Sequence, residues 1–249
     1  MVWDLIIDGP LDGAANMAID AALLEEVNSS TEPRTIIRFY QWCRPTMSLG
    51  RNQKLEKAVS ADYCKANGID IVYRPTGGRA VLHDDELTYA VVSNNSSCFG
   101  DTIYGNYKRV SEALCLGYRN LGVAAVLAPD TRTPEVDENG GDPPCFISPS
   151  RYELMVNGRK IAGSAQRRVR NSFLQHGSMP ITFEYQVLAL ATRVRDTGML
   201  EREMAGVAEF LDVRPEIEQL REVFIHAFKT YFSIEFGAPS HSSVDPVIA

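Results

Sequence analysis

The alternation of apolar and polar residues divides the chain into short strands and amphipathic helices. Strands are expected where β-branched and aromatic residues cluster, and helices where apolar residues recur every three or four positions. The predicted strands span residues 3–7, 35–40, 69–73, 80–82, 87–92, 123–127, 152–156, 159–164, 173–181 and 234–236. Short hairpins with intervening helices predict an α+β fold, with mixed, largely antiparallel sheets and flanking helices.

Four segments have the apolar spacing of helices. The first is capped by Asp12, and its buried face is predicted to contain Met17, Ala21, Leu24 and Val27. The second spans residues 55–67 and is ended by Gly68, since glycine commonly terminates helices. The last two present the apolar stripes Val110, Leu114, Tyr118 and Leu121, and Ile217, Leu220, Phe224, Phe228 and Tyr231.

Two loop segments stand out. The pair Asn157-Gly158 lies between two strand-like runs, which is a strong signal for a tight hairpin. Residues 129–150 hold proline, glycine and acidic residues with little periodicity. A loop of that length inside a compact domain is usually functional or disordered.

Composition narrows the class of protein. The chain has 249 residues, which fits a single catalytic domain over residues 1–249 without an accessory domain. Its net charge of −7 argues against a general nucleic-acid binder. Five scattered cysteines do not resemble a disulfide framework or a zinc site, and neither a signal peptide nor a membrane span is evident. We therefore expect a cytoplasmic protein that does not bind membranes.

The first candidate site is the turn that contains Arg74, Gly77, Gly78 and Arg79. Adjacent glycines let a backbone turn tightly and approach a ligand, and their amides can bind a carboxylate, phosphate or thioester oxygen. An ordinary hairpin with solvated arginines is the alternative. His83 next to Asp84 does not define a catalytic triad, which depends on geometry, so we expect His83 to shape the pocket.

The second candidate is the strand after the Asn-Gly turn. If side chains alternate there, Lys160, Ala162 and Ser164 share one face, and the small residues leave space beside the ammonium group. Such a slot would suit an acyl chain or a carbonyl. The alternative is a solvated hairpin lysine, the common fate of lysine.

The third candidate is Cys145, which follows two prolines that fix the backbone. A thiol becomes a useful nucleophile when a nearby cation stabilises its thiolate, and Lys160 could supply that cation. Cys64 and Cys115 lie in predicted helices and are interpreted as apolar fillers, whereas Cys43 and Cys98 lie in loops without an obvious partner.

Several of these motifs, taken in order, resemble the biotin/lipoate protein ligase superfamily. The matching segments are residues 16–18, 38–40, 74–79, 160–166 and 175–177. The resemblance implies a fold like that of class II aminoacyl-tRNA synthetase and biotin ligase catalytic domains. It also implies substrate-binding roles for Arg74, Gly77, Gly78, Arg79, His83, Gly163, Ser164, Ala165, Gln166 and His176.

Within that superfamily, the chain looks closest to octanoyltransferases with a catalytic cysteine, on the motif formed by residues 145–153 and Lys160. ATP-dependent ligases typically carry a third glycine where this chain has Arg79. The resemblance implies that Cys145 takes an octanoyl group from acyl carrier protein. It then passes the group to a lysine of the glycine-cleavage H protein or a lipoyl domain. No cofactor is expected, since ATP and magnesium would be needed only by a ligase.

Three alternatives remain open at this stage: an ATP-dependent lipoate ligase, an amidotransferase between lipoyl proteins, and a non-catalytic lipoyl-domain binding protein. The proteins on both sides of the expected reaction are generally acidic. A cluster of Arg151, Arg159, Arg167, Arg168 and Arg170 is therefore a candidate docking patch. A solvated strand edge is the competing explanation.

Overall fold

The computed structural model describes residues 1–100, 102–128, 152–194, 196–238 and 240–241. The strands are β1 (Val2–Leu11), β2 (Thr35–Trp42), β3 (Thr46–Leu49), β4 (Asp70–Tyr73), β5 (Val81–His83), β6 (Glu86–Ser93), β7 (Val126–Leu127), β8 (Leu154–Val156), β9 (Arg159–Lys160), β10 (Gly163–Val169), β11 (Ser172–Pro180) and β12 (Glu235–Phe236). The helices are α1 (Gly13–Ser29), α2 (Leu55–Ala58), α3 (Ala61–Ala66), α4 (Ser96–Phe99), α5 (Ile103–Asn120), α6 (Tyr185–Thr192), α7 (Thr197–Glu203) and α8 (Ile217–Phe232).

Among these residues the strands form three sheets. The largest has six strands in the order β10-β11-β6-β2-β1-β12, and the two smaller sheets have the orders β4-β3-β5 and β7-β8-β9. The pairs β1–β2, β1–β12 and β3–β4 are parallel, and the others are antiparallel. The predicted α+β class with largely antiparallel sheets is confirmed.

The six-stranded sheet is covered on both faces. On one face, Phe39 and Tyr89 pack in one apolar cluster with residues of α5 and α8 such as Leu114 and Phe224. On the other face, Tyr40 packs with residues of α1. The sheet β4-β3-β5 has its own apolar cluster with the four short helices α2, α3, α6 and α7. Because β2 is covered on both faces of the sheet, it is almost wholly buried.

Helix α1 begins where the sequence predicts, and Met17, Leu24 and Val27 of its predicted buried face are confirmed. The Asp12 carboxylate accepts a hydrogen bond from the Ala15 amide at 2.8 Å, as expected of an N-cap. Ala21 is exposed, and Asp20 is fully buried instead. The prediction for Ala21 is wrong because Asp20 turns inward to bind Arg38 at 2.9 Å.

The Asn157-Gly158 turn is confirmed, but the strand after it is shorter than predicted. Both residues have positive φ angles, 50° and 82°, as a tight hairpin turn requires. Strand β9 ends at Lys160, and Ile161 and Ala162 pack into the core beneath α5. The chain then enters the six-stranded sheet as β10. The predicted continuous strand over residues 159–164 is therefore wrong.

The predicted helix over residues 55–67 is likewise interrupted. It forms the two short helices α2 and α3, separated at Val59 and Ser60. The amide of Ser60 donates to the Ala191 carbonyl of α6, and Val59 is fully buried. Gly68 ends the second helix with a φ of 66°, as predicted.

Gly117 allows α5 and α8 to approach closely. A methyl group at this position would lie 2.4 Å from a ring carbon of Phe224. Replacement of a helical glycine by alanine normally gains about 1 kcal/mol, whereas overpacking a core costs about 1–3 kcal/mol. We expect Gly117→Ala to lower the free energy of unfolding by up to about 2 kcal/mol, measured by urea denaturation.

The Phe224→Leu background tests whether the contact with Phe224 causes this loss of stability. In Phe224→Leu, which removes the ring, the added methyl group should be neutral or stabilising. An equal loss in both backgrounds would show that the contact with Phe224 is not responsible.

Candidate active site

A narrow cleft lies where the six-stranded sheet, α1 and the sheet β4-β3-β5 meet. Its apolar wall comes from Met17 of α1, Tyr40 and Trp42 of β2, and Val81 of β5. Its remaining lining is Arg74, His83, Thr88, Gly163, Ser164, Ala165, His176, Gly177 and Ser178. The cleft is narrow, so a ligand that enters it has to be slim.

Buried Arg74 holds the glycine turn in place. Its guanidinium donates to the Ser48 carbonyl at 2.6 Å and to the carbonyls of Gly77 and Arg79 at 3.0 and 2.8 Å. Gly78 has a φ of 95°, a conformation that favours glycine. Arg74 therefore acts first as a clamp on the turn, which the sequence alone does not show.

A chain of buried polar groups connects α1 to the same turn. Arg38 is fully buried and pairs with Asp8 at 2.7 Å and with Asp20 at 2.9 Å. The other oxygen of Asp20 is 2.7 Å from His176 Nδ1, and His176 Nε2 is 2.7 Å from the Thr76 hydroxyl. Because a carboxylate only accepts, Nδ1 carries the proton and Nε2 accepts from Thr76.

Burial of these hydrogen-bonded groups shifts the pKa values of Asp20 and His176. Burial disfavours the charged form of Asp20, but the His176 hydrogen bond and the positive charge of Arg38 outweigh it, so the pKa of Asp20 lies below its ordinary value. For His176, burial outweighs the attraction of Asp20 and lowers the pKa. In the folded protein, this row of hydrogen bonds therefore contains an ionised Asp20 and a neutral His176.

His83 belongs to a second buried chain. Its Nδ1 lies 2.7 Å from the Glu86 carboxylate, and its Nε2 lies 2.6 Å from the Ser48 hydroxyl. Glu86 also accepts hydrogen bonds from the hydroxyls of Thr88 and Ser178. The imidazole stacks on Trp42, with ring centroids 4.1 Å apart. The partner of His83 is thus Glu86, and its place in the cleft wall agrees with the predicted pocket-shaping role.

Gly177 lets two hydroxyl groups meet across a strand. Ser164, Gly177 and Tyr89 are neighbours in register on β10, β11 and β6. Because Gly177 has no side chain, the Tyr89 hydroxyl reaches Ser164 Oγ at 2.7 Å. Gln175 donates to Tyr89 at 3.1 Å and accepts from Gln166 at 2.9 Å. This side-chain network fixes the part of β10 that lines the cleft.

Lys160 is 3% exposed and is ion-paired with Glu153, which is 5% exposed, at 2.7 Å. The interpretation of Lys160 as a solvated hairpin lysine is therefore wrong. Alternation along one strand does not place it beside Ser164, since the strand breaks after Lys160. Lys160 is three residues from Gly163 of the cleft wall, so their Cα atoms are at most about 11 Å apart.

Half of the predicted site residues line the cleft: Arg74, His83, Gly163, Ser164, Ala165 and His176. Cys145 and Arg151 lie outside the described residues. Sequence reasoning missed Asp20, Ser48, Glu86 and Tyr89, because polar residues inside helices and strands normally indicate a solvated face.

Of the five predicted docking arginines, four lie within the described residues, and Arg159 of β9 has its own protein partners. Arg159 donates to the Met204 carbonyl at 2.8 Å and pairs with Glu209 at 2.6 Å, so it fastens β9 to the segment after α7. Arg167, Arg168 and Arg170 remain on and just after β10. The docking role of these arginines stays a prediction.

Neither a metal site nor a membrane-spanning helix is present among the described residues. Within the part of the chain that the structure describes, no three histidine, cysteine or carboxylate residues lie together as metal ligands would. No helix in the same ranges combines the length and the apolar character that crossing a bilayer requires.

The fold is shared with solved structures of lipoate protein ligases. A structure of lipoate-protein ligase A bound with ATP superposes with a TM-score of 0.79 at 26% identity and covers 96% of this chain and 90% of its own. The T. acidophilum protein Ta0514 with bound lipoic acid gives 0.77 at 26% identity, covering 97% and 89%.

Sequence comparison is more specific. The model of the lipoyl protein ligase A/B catalytic domain matches residues 12–229. Octanoyltransferase LipM of Carboxydothermus hydrogenoformans is 37% identical over 94% of this chain and 88% of its own. The Staphylococcus aureus enzyme of the same name is 38% identical over 94% and 88%. The chain belongs to the lipoyl protein ligase A/B catalytic domain family, and it is an acyltransferase.

His176 should make stability depend on pH. Its pKa is lowered by folding, so the unfolded chain takes up a proton first as the pH falls below about 6.5. The free energy of unfolding should then fall with pH by up to about 1.4 kcal/mol per unit. In His176→Gln this slope should be reduced by one proton in urea denaturation between pH 7 and 5. His226→Gln, on the exposed face of α8, should keep the wild-type slope.

Removing one member of the Lys160–Glu153 pair should lower the free energy of unfolding strongly, whereas replacing both members by apolar residues should lower it much less. Lys160→Met leaves the Glu153 carboxylate buried with one cation fewer, which typically costs about 3–5 kcal/mol. Lys160→Met combined with Glu153→Leu should recover most of that loss in urea denaturation. If the double variant is no more stable than Lys160→Met alone, the two charges do not depend on each other.

Proposed function

We propose that the enzyme moves an octanoyl group from acyl carrier protein onto a protein lysine, through a thioester on Cys145. The observation that carries the proposal is the buried ion pair of Lys160 and Glu153, with Lys160 three residues along the chain from Gly163 of the cleft wall. The chain is 37% identical to an octanoyltransferase over nearly its whole length. The ligases, at 26% identity, are more distant in sequence.

In the first half-reaction, the Cys145 thiolate attacks the carbonyl carbon of the octanoyl thioester. The carrier thiolate leaves and takes up a proton, so the acyl group moves from one sulfur to another. The Lys160 ammonium favours the thiolate form of the cysteine and the developing negative charge on the carbonyl oxygen. The octanoyl chain occupies the cleft beside Met17, Trp42 and Val81.

In the second half-reaction, the neutral amine of the acceptor lysine attacks the acyl-enzyme. An amide forms, the Cys145 thiolate is released, and the ammonium proton of the intermediate passes to solvent or a base. The thioester already stores the energy for amide formation, so no nucleotide is needed.

The acceptor is proposed to be an H protein or an E2 lipoyl domain. One structural relative was determined as part of an archaeal lipoylation system, a lipoate protein ligase together with its E2 lipoyl domain. That relative is 24% identical to this chain, so it supports the class of acceptor by analogy.

The covalent route is tested by mixing the protein with octanoyl carrier protein in the absence of ATP and measuring the intact mass. We expect an octanoyl adduct that is lost in Cys145→Ala and retained in Cys43→Ala, which alters the exposed cysteine of the β2–β3 turn. The Lys160→Met, Glu153→Leu variant should fold but form the adduct far more slowly.

Two results would overturn the proposal. An adduct that requires ATP and the free acid would indicate a ligase, in which Cys145 is dispensable. Binding of a lipoyl domain without any adduct or transfer would indicate a non-catalytic binding protein.

A further inference from the structure

Three separate segments near the cleft carry basic residues and no acidic ones. They are residues 50–54, 74–79 and 163–170, and they include Arg51, Arg79, Arg167, Arg168 and Arg170. The chain as a whole has a net charge of −7, so these segments run against its overall charge. We call Arg51, Arg79, Arg167 and Arg170 the basic rim; Arg168 is not included, because side chains alternate along β10 and it lies on the opposite face from Arg167.

The fold joins the three segments at the mouth of the cleft. The Arg51 amide donates to the Thr76 carbonyl at 2.9 Å, and the Arg167 guanidinium donates to the Pro75 carbonyl at 3.3 Å. Side chains could not come between Gly50 and Gly78, because a methyl group on Gly50 would lie 2.0 Å from the Gly78 carbonyl oxygen. The rim is therefore continuous with the glycine turn and with Arg74 of the cleft.

The rim extends outward along an open edge. Within the described residues, β10 is the outermost strand of the six-stranded sheet on that side. It starts at the cleft with Gly163, and the hairpin that follows it carries the exposed Arg170. The seven residues of β10 extend about 20 Å from the cleft to this hairpin. A partner lying along it would have its far end at the hairpin and its near end at the cleft.

Three arginines of the rim differ in their contacts from several other arginines of the surface. Arg34, Arg202 and Arg214 each pair with a carboxylate at 2.6–3.1 Å. Arg51, Arg167 and Arg170 form no such pair with any other described residue. Guanidinium groups that have no carboxylate partner within the protein attract the carboxylates of a partner and, by paired hydrogen bonds, its phosphates.

We infer that the basic rim docks the carrier protein that delivers the acyl thioester. This inference rests on the proposed function. Both partners of such a transferase are acidic, but only the donor carries a phosphodiester on the arm that holds the acyl group. That arm has to pass the rim to place its thioester in the cleft, so the donor meets the arginines with both its acidic surface and its phosphate.

The test compares three octanoyl thioesters in the first half-reaction, followed by intact mass after rapid quenching. They are octanoyl carrier protein, octanoyl-phosphopantetheine and octanoyl-pantetheine. The variant is Arg51→Glu with Arg170→Glu, and the control is Lys65→Glu with Arg221→Glu on α3 and α8, which changes the net charge equally. The two small thioesters separate the contribution of the phosphate from that of the carrier surface.

We expect the rim variant to acylate about tenfold more slowly than wild type with the carrier at low ionic strength. The difference should shrink near 1 M salt, where screening extends only about 3 Å. Octanoyl-pantetheine should react at the wild-type rate, and the control variant should match wild type with all three.

Each other outcome has a distinct meaning. Equal carrier rates in the rim variant and wild type would overturn the docking inference. Normal acylation with slowed transfer to the acceptor would overturn it as well, by assigning the rim to the acceptor. If wild type is not acylated by any of the three thioesters, the proposed function itself fails.

Discussion

The site depends on one chain of buried hydrogen bonds, which runs from Arg38 through Asp20 and His176 to Thr76. Each link joins a different element: β2, α1, β11 and the glycine turn. Buried charges are tolerated only when they are paired and hydrogen-bonded, so no member can move alone without leaving an uncompensated group. The chain therefore fixes the turn relative to the sheet more firmly than apolar packing would, because apolar contacts have no directional requirement.

The same hydrogen bonds make the surface of the cleft largely apolar. Arg74, His83 and His176 all line it, yet each has its polar atoms engaged by protein groups such as Ser48, Glu86 and Asp20. What remains for a ligand is the stacked pair of Trp42 and His83 and the side chains of Met17 and Val81. Polar residues can thus line a cleft that offers largely apolar surface to an acyl chain, while the same residues hold the loop at its mouth.

Local sequence patterns predicted the elements well where a local signal decides the structure. Asp12 caps α1, Asn157-Gly158 turns a hairpin and Gly68 ends a helix, since each depends on a few adjacent residues. The strand over residues 159–164 was predicted too long, because its break is set by the burial of Ile161 against distant α5. The four-residue strand β3 and the helices α6 and α7 carry too little periodicity to be recognised.

The site residues divide in the same way. Gly77, Gly78 and Lys160 are recognisable from motifs, whereas Asp20 and Glu86 are not, because a carboxylate in an element normally indicates solvent. Asp20 is bound by His176, 156 positions away, and Glu86 by Ser178, 92 positions away, and these contacts connect the two carboxylates to the cleft. Such pairings become visible only when the sheet order is known. The charge of the chain follows the same logic: its acidic total conceals a basic rim, since Arg51, Arg79 and Arg167 come together only after β10 takes the edge of the sheet.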